Sequence, residues 1–291
     1  MALGIDTADP LNNSCFNWPN FYSWMGHWPV FVGRYFGGGY DSSAGEFTYF
    51  KKATGGVANS VAPIQASQAS RQSTGGSTGY GYGQTDAGTT IKNINNFLAS
   101  GELVKPSSGL VYVYLDVEAN TNITADYWAG WANAIWHATD PSGALPYYPC
   151  VYTQFTESGG KYYPQSSVQS ALNSACTNYP NIEVQCFGLW SNEPEPYSFC
   201  SPSATPDWSV FGTFQQDLCG TYVSVPVLLY QYAENCGCIV GGGYTGFAGA
   251  SNCSNFTACD VSGVTHYYAN NNLDLDGNDN TGANSYMLSI A

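Results

Sequence analysis

Apolar residues alternate with polar or small ones in eight short runs along this chain, at 3–7, 30–36, 61–65, 110–118, 149–154, 182–190, 225–232 and 272–276. Period-two alternation marks strands, whose successive side chains point to opposite faces. Between the earlier runs the period changes. Ile91, Ile94, Phe97 and Leu98 recur at helical spacing within 83–100. Tyr127, Trp128, Trp131, Ile135 and Trp136 do so within 124–138, where Thr124 is placed to cap the helix. A third helix is predicted over 165–177. Strands alternating with crossovers predict an α/β fold: a single TIM-like (β/α) barrel domain over 1–291, with eight strands and fewer than eight helices. The helical signal fades after the sixth strand. Segments 191–207, rich in Pro and Ser, and 236–260, rich in Gly and Cys, read as long loops tied by disulfides. The Gly/Ser/Thr-rich stretch 68–88 reads as a surface loop.

The run at 110–118 alternates most cleanly. Val111, Val113, Leu115 and Val117 share one face; Tyr112, Tyr114, Asp116 and Glu118 share the other. In a barrel the aliphatic face lies under the helices, so the second face points inward. Asp116 and Glu118 then sit at the C-terminal end, where barrel active sites are built. Two acids at i and i+2 on one desolvated face push at least one pKa up, which creates a proton donor. The first run sets Gly4 and Asp6 opposite Leu3 and Ile5, and the eighth sets Asp274 and Asp276 opposite Leu273 and Leu275. These two strands become neighbours when a barrel closes, so Asp6, Asp116, Glu118 and Asp274 form the predicted catalytic group. Arg34 is expected to hold Asp6 ionised, to bind substrate, or to form a structural ion pair. Gln65 and Gln231 end strands and are expected to hydrogen-bond a sugar. Tyr35, Tyr152, Trp190 and Tyr232 are expected to stack on sugar faces, with core packing as the alternative for each.

Composition narrows the partners. The chain has 291 residues, 7 Lys+Arg against 21 Asp+Glu and a formal charge of −14, which argues against nucleic acid and anionic membrane. Charged residues make up 10% and aromatic ones 15%, so a packed chain with an uncharged, hydroxyl-rich and aromatic surface suited to polysaccharide is expected. No run approaches ~20 apolar residues, so no membrane-spanning helix is predicted. The ten cysteines lack paired C-x-x-C spacing and only three His accompany them, which favours five disulfides over a metal centre. Expected closures join Cys200 to Cys219, and Cys236 and Cys238 to Cys253 and Cys259 in either order. Sequons at Asn12, Asn122, Asn252 and Asn255 agree with a secreted glycoprotein. Residues 1–10 carry neither a basic start nor an apolar run, so a mature extracellular chain without its leader is expected, acting as a monomer. Asp274-Leu275-Asp276-Gly277 has the acids of a calcium loop, but its glycine falls at the fourth position instead of the sixth, so neither metal nor other cofactor is expected. No G-x-S-x-G elbow occurs, which disfavours a serine hydrolase.

Gly4-Ile5-Asp6-Thr7 resembles the opening of the glycoside hydrolase family 25 lysozymes (muramidases), and Tyr114-Leu115-Asp116-Val117-Glu118 resembles their D-x-E strand. Val151-Tyr152-Thr153, Leu189-Trp190, Tyr230-Gln231-Tyr232 and Leu273-Asp274-Leu275-Asp276 follow in the order of that family's later strand motifs. Phe31-Val32-Gly33-Arg34-Tyr35 and Asp6-Thr7 are more similar to a related glycoside-hydrolase-like barrel family. The resemblance implies a barrel with fewer helices than strands. It also implies cleavage of the bond between N-acetylmuramic acid and N-acetylglucosamine in peptidoglycan. It puts the proton-donor role on Glu118 and supporting roles on Asp6, Asp116 and Asp274. The family carries Asn where Asp276 stands, which leaves the eighth-strand acid open between Asp274 and Asp276. Asp116 would orient the substrate's N-acetyl group or stabilise charge at the anomeric carbon, and Asp6 or Asp274 would activate water. A chitinase-like hydrolase is the enzyme alternative, although its longer acidic run would need Asp where Val111 and Tyr114 stand. A catalytically silent glycan-binding barrel is the other alternative.

Overall fold

The computed structural model describes residues 3–8, 10–12, 18–118, 121–144, 146–192, 208–233, 258–261, 264–267, 274–278 and 286–291. Its strands are β1 (Leu3–Thr7), β2 (Phe31–Tyr35), β3 (Ser60–Gln65), β4 (Leu103–Val104), β5 (Val111–Val117), β6 (Tyr147–Ser158), β7 (Lys161–Pro164), β8 (Leu189–Asn192), β9 (Phe214–Leu218), β10 (Thr221–Val225), β11 (Val227–Ala233), β12 (Ala258–Val261), β13 (Val264–Tyr267), β14 (Asp274–Asn278) and β15 (Leu288–Ile290). Its α-helices are α1 (Trp18–Met25), α2 (Glu46–Ala53), α3 (Ala69–Gln72), α4 (Gly76–Ser100), α5 (Ala125–Trp136) and α6 (Ser166–Asn178).

The fold is mixed α/β around a curled, mostly parallel sheet. Seven strands pair in parallel in the order β11-β8-β6-β5-β3-β2-β1. The eighth predicted strand, β14, departs from the expected parallel pattern: it pairs antiparallel with both β1 and β11. Among its described residues the connection from β11 to β14 holds the β12–β13 hairpin and no helix. β14 starts beside the C-terminal end of β11 and runs back along it, a return that needs no crossover to the other end of the sheet.

The alternation in the strands sorts two buried clusters. Ile5, Val32, Val61, Val111, Val113, Leu115, Val117, Val151 and Leu189 pack with the helices. Phe31, Tyr35, Ala62, Ile64, Tyr114, Tyr152 and Trp190 pack together on the concave side of the sheet. Burying both faces of every central strand explains why the β2 and β3 residues are buried without a break.

The helices begin earlier than the apolar spacing alone indicates. The stretch 68–88, expected as a surface loop, forms α3 and most of the first half of α4. Gly83 within it and Gly130 of α5 serve packing. A Cβ on Gly83 would lie 2.2 Å from the Tyr127 carbonyl oxygen, and one on Gly130 would lie 2.0 Å from that of Tyr80. The two helices touch backbone to backbone there, so tertiary contact outweighs the weak helix propensity of glycine. Thr124 caps α5 as expected, its side chain accepting from Tyr127 N.

The expected strand at 182–190 shortens to β8, which starts at Leu189. Ile182, Val184 and Cys186 still pack on the helical cluster. The backbone there is satisfied in part by the buried Gln216 side chain, which accepts from Cys186 N at 2.8 Å and donates to Val184 O at 2.9 Å. An apolar alternation is thus fulfilled without a sheet ladder.

Cys219 pairs with Cys176 and not with Cys200, across a Cα–Cα distance of 5.6 Å. Helix α6 packs on β9, where Asn173 Oδ1 accepts from Asp217 N and brings the two sulfurs together. Complete pairing of the cysteines is also corrected. Cys150 and Cys186 are buried thiols, and burial pushes both up, Cys186 to about 12. Cys15, Cys200, Cys236, Cys238, Cys253 and the Cys259 side chain lie outside the described residues, as do the sequons at Asn252 and Asn255. Among the described residues no helix is long and apolar enough to cross a membrane, and no group of three metal-ligating side chains occurs.

Candidate active site

The C-terminal ends of β3 and β5 and the loops after β2, β3 and β5 enclose a cavity of about 240 Å³. Asp116 and Glu118 form its acidic wall, with Gln72, Ser67, Thr121 and Tyr40 around them. Gly38 lets two of these loops meet: its φ is +89°, and a Cβ there would lie 2.0 Å from the Ala66 carbonyl oxygen.

The end of β5 is held from both sides by glutamines. Gln72 Nε2 donates to the Asp116 backbone oxygen at 2.6 Å. Gln165 Nε2 donates to Val117 O at 3.1 Å and Glu118 O at 3.2 Å. Backbone carbonyls that run out of ladder partners at a strand end are thereby satisfied, and the acidic pair is fixed in place.

The two acids occupy different environments. Asp116 is 5% exposed, while Glu118 is exposed at the rim. Burial, with the neighbouring Glu118 adding to it, pushes Asp116 from 3.8 up to about 8, against the opposing effect of the Tyr35 hydroxyl, which donates to Asp116 Oδ2 at 3.2 Å. The sequence expectation put the held proton on Glu118; the desolvation falls on Asp116 instead, because Asp116 lies one pair deeper on the same face.

The other predicted residues divide by strand parity. Asp6 is buried at the end of β1, and the register sets it beside Gly33 of β2 and Asp274 of β14. Asp276 pairs with Gly4 and with Gln231, one step further from the strand ends, so Asp274 holds the register position nearer the acids. The side chains of Asp274, Asp276 and Tyr232 lie outside the described residues. Tyr152, Trp190 and Gln231 are buried on the concave side, where the Tyr152 hydroxyl donates to Gln231 Oε1 at 2.9 Å and its ring meets Trp190 edge-on at 4.9 Å. Tyr35, Tyr152 and Trp190 are packed residues, the alternative expected for each.

Arg34 and Gln65 face the helices, not the cavity. Arg34 follows the parity of Val32 and is fully buried. It pairs with the equally buried Glu46 of α2 at 2.5 Å and donates to Thr7 O at 2.9 Å. It ties β1 and β2 to α2, which is the structural ion pair among its expected alternatives. Gln65 donates to Ser67 Oγ at 2.8 Å and accepts from the Trp131 indole of α5 at 2.5 Å, so both ends of its amide are engaged within the protein. The cavity residues that sequence reasoning missed, Tyr40, Ser67, Gln72 and Thr121, all belong to segments following strand ends. Their only signal is that position.

Among solved structures the chain is similar to an uncharacterized B. stearothermophilus protein, at 17% identity and a TM-score of 0.57, over 99% of this chain and 100% of that one. A bacterial lysozyme from Streptomyces coelicolor is similar at 13% identity and a TM-score of 0.38, over 98% of this chain and 95% of that one. No family model matches the chain, and no curated protein does. The likeness to the B. stearothermophilus protein is one of fold.

Proposed function

We propose that the chain is a secreted glycoside hydrolase that cleaves the bond between N-acetylmuramic acid and N-acetylglucosamine in peptidoglycan. The observation that carries the reading is the pair of unlike acids at one cavity: Asp116, buried and holding its proton up to about pH 8, and Glu118, exposed at the rim two residues on. Acids pushed into different environments divide the work of acid–base chemistry. In this reading a sugar laid across the rim takes Glu118 out of water, the condition under which a carboxyl keeps a proton to give to the leaving oxygen as the glycosidic bond breaks. Asp116, neutral at working pH, supplies a hydrogen-bond donor that fixes the sugar. A water attacks the anomeric carbon and gives up its proton to Asp6 or Asp274, which stand at paired register positions on β1 and β14.

The antiparallel pairing of β14 with both β1 and β11 supports reading the curled sheet as a closed eight-stranded barrel, whose strand ends carry the site. The disulfide between Cys176 and Cys219 supports an oxidising, extracellular location.

Release of reducing ends from peptidoglycan, chitin and a glucan panel tests the reading. Cleavage of peptidoglycan is expected, with Glu118→Gln slower by roughly 2–4 orders of magnitude and its fold intact. Cleavage of chitin alone would favour the chitinase-like alternative. Near-normal turnover by the Gln variant would remove Glu118 from the chemistry.

A further inference from the structure

We propose that β10 is an open sheet edge on which a second copy of this chain pairs, β10 of one copy running antiparallel to β10 of the other. The inference is independent of the glycoside hydrolase reading and departs from the monomer expected from the sequence.

Strands β9 and β10 form a two-stranded sheet of their own, apart from the curled sheet. They are joined by the turn Cys219-Gly220, whose φ values are +56° and +91°. A two-residue turn of this kind makes its flanking residues, Leu218 and Thr221, a hydrogen-bonded pair. The alternation of an antiparallel ladder repeats this at Gln216 with Val223 and at Phe214 with Val225. The N–H and C=O groups of Tyr222 and Ser224 therefore point away from β9, and they have no backbone partner among the described residues. The side chains agree that this edge is bare: Tyr222 is 67% exposed, Thr221 and Ser224 are exposed, and Val223 is half-buried. The hairpin is anchored through its turn and its other strand, by the Cys176–Cys219 disulfide, by the bond from Asp217 N to Asn173 Oδ1 and by the buried Gln216. The edge is thus preformed, and a partner has little left to order.

Native proteins blunt exposed edges with a charge, a proline or a bulge. Thr221-Tyr222-Val223-Ser224-Val225 has none of these: its register with β9 is unbroken, and Pro226 lies beyond the strand. In a chain of formal charge −14, an uncharged strand is a place where two copies meet without setting like charges opposite one another. Symmetry selects a copy over an unrelated peptide. The outward groups flank Val223, so a two-fold axis through Val223 sets Tyr222 of each copy opposite Ser224 of the other. Both of these pairs then exchange their N–H···O bonds, and every outward group of the two strands is satisfied.

Sedimentation equilibrium of the full chain tests this from about 1 to 500 µM, the range of weak association. Salt at about 0.3 M screens the charge on each copy. The mass is expected to rise from one chain toward two across that range. Hydrogen exchange on the same samples should show the Tyr222 and Ser224 amides slowing as the concentration rises. Ser224→Pro removes an outward N–H where an edge strand tolerates proline. It should weaken association at least ~10-fold, since it removes a hydrogen bond from each symmetric pair, with thermal unfolding of the dilute protein unchanged. Should it fail to fold, Tyr222→Lys, which sets a charge on the exposed edge, carries the same expectation. A single-chain mass at every concentration would overturn the inference and leave the edge to an extended peptide of another protein. A dimer whose Tyr222 and Ser224 amides exchange as fast as in the dilute chain, or a folded variant that associates as tightly as the parent, would overturn it as well.

Discussion

Asp116→Asn replaces a buried carboxyl by a neutral side chain of the same shape, and its effect on stability should follow pH. In the folded protein burial and Glu118 raise Asp116 from 3.8 to about 8, with Tyr35 opposing. Between those two values the folded protein binds a proton that the unfolded chain has lost. The stability this contributes is fully present below the unfolded value and is lost as pH rises through about 8. At about 1.4 kcal/mol per unit, the full swing is on the order of 6 kcal/mol. The Asn variant has no such proton to lose. The two proteins should therefore be of similar stability near pH 4, and the variant should gain several kcal/mol relative to the parent by pH 9. Urea unfolding of both at about pH 4.5, 6, 7.5 and 9 reads the difference, in which groups common to both nearly cancel. A difference that stays flat from about pH 5 to 9 would refute the buried, protonated Asp116 and with it the division of labour at the cavity.

Tyr35→Phe removes the hydroxyl that favours ionised Asp116, so the alkaline limb of the rate–pH profile, expected near 8, should move upward; a downward shift would contradict the assigned hydrogen bond. Glu46→Gln leaves the Arg34 charge buried without its carboxylate. It should cost about 3–5 kcal/mol, or roughly 5–8 °C in Tm for a chain of this length. Glycan affinity of the folded variant should be unchanged, and lost affinity with an unaltered Tm would return Arg34 to the substrate. Gly83→Ala drives a Cβ into the α5 backbone and should destabilise by about 1–3 kcal/mol in thermal unfolding, whereas Gly88→Ala, with open space around it, should be neutral or stabilising.

The sequence by itself determined the two faces of the central strands and the inward placing of Asp116. Period-two alternation in 110–118 assigned Val111, Val113, Leu115 and Val117 to the helical side and Tyr114 and Asp116 to the concave side, as the two buried clusters have them. Alternation is local, because it follows from the geometry of one strand. The same rule, applied to Phe31-Val32-Gly33-Arg34-Tyr35, separates Arg34 from Tyr35, and applied to Ile64-Gln65 it turns Gln65 toward the helices; both orientations were legible in the sequence. What only the tertiary structure decided depends on partners distant along the chain. The sense of β14 is set by its ladders with β1 and β11, and the helical state of the glycine-rich start of α4 by backbone contact with α5. The choice of Cys176 for Cys219 comes from α6 lying on β9. The proton on Asp116 is decided the same way. Its neighbour Glu118 is visible in the sequence, but the burial that dominates the shift comes from the surrounding fold, including Tyr35, which is 81 residues away in sequence and hydrogen-bonded in space. Desolvation depends on everything packed around a group, and no short stretch of residues specifies it.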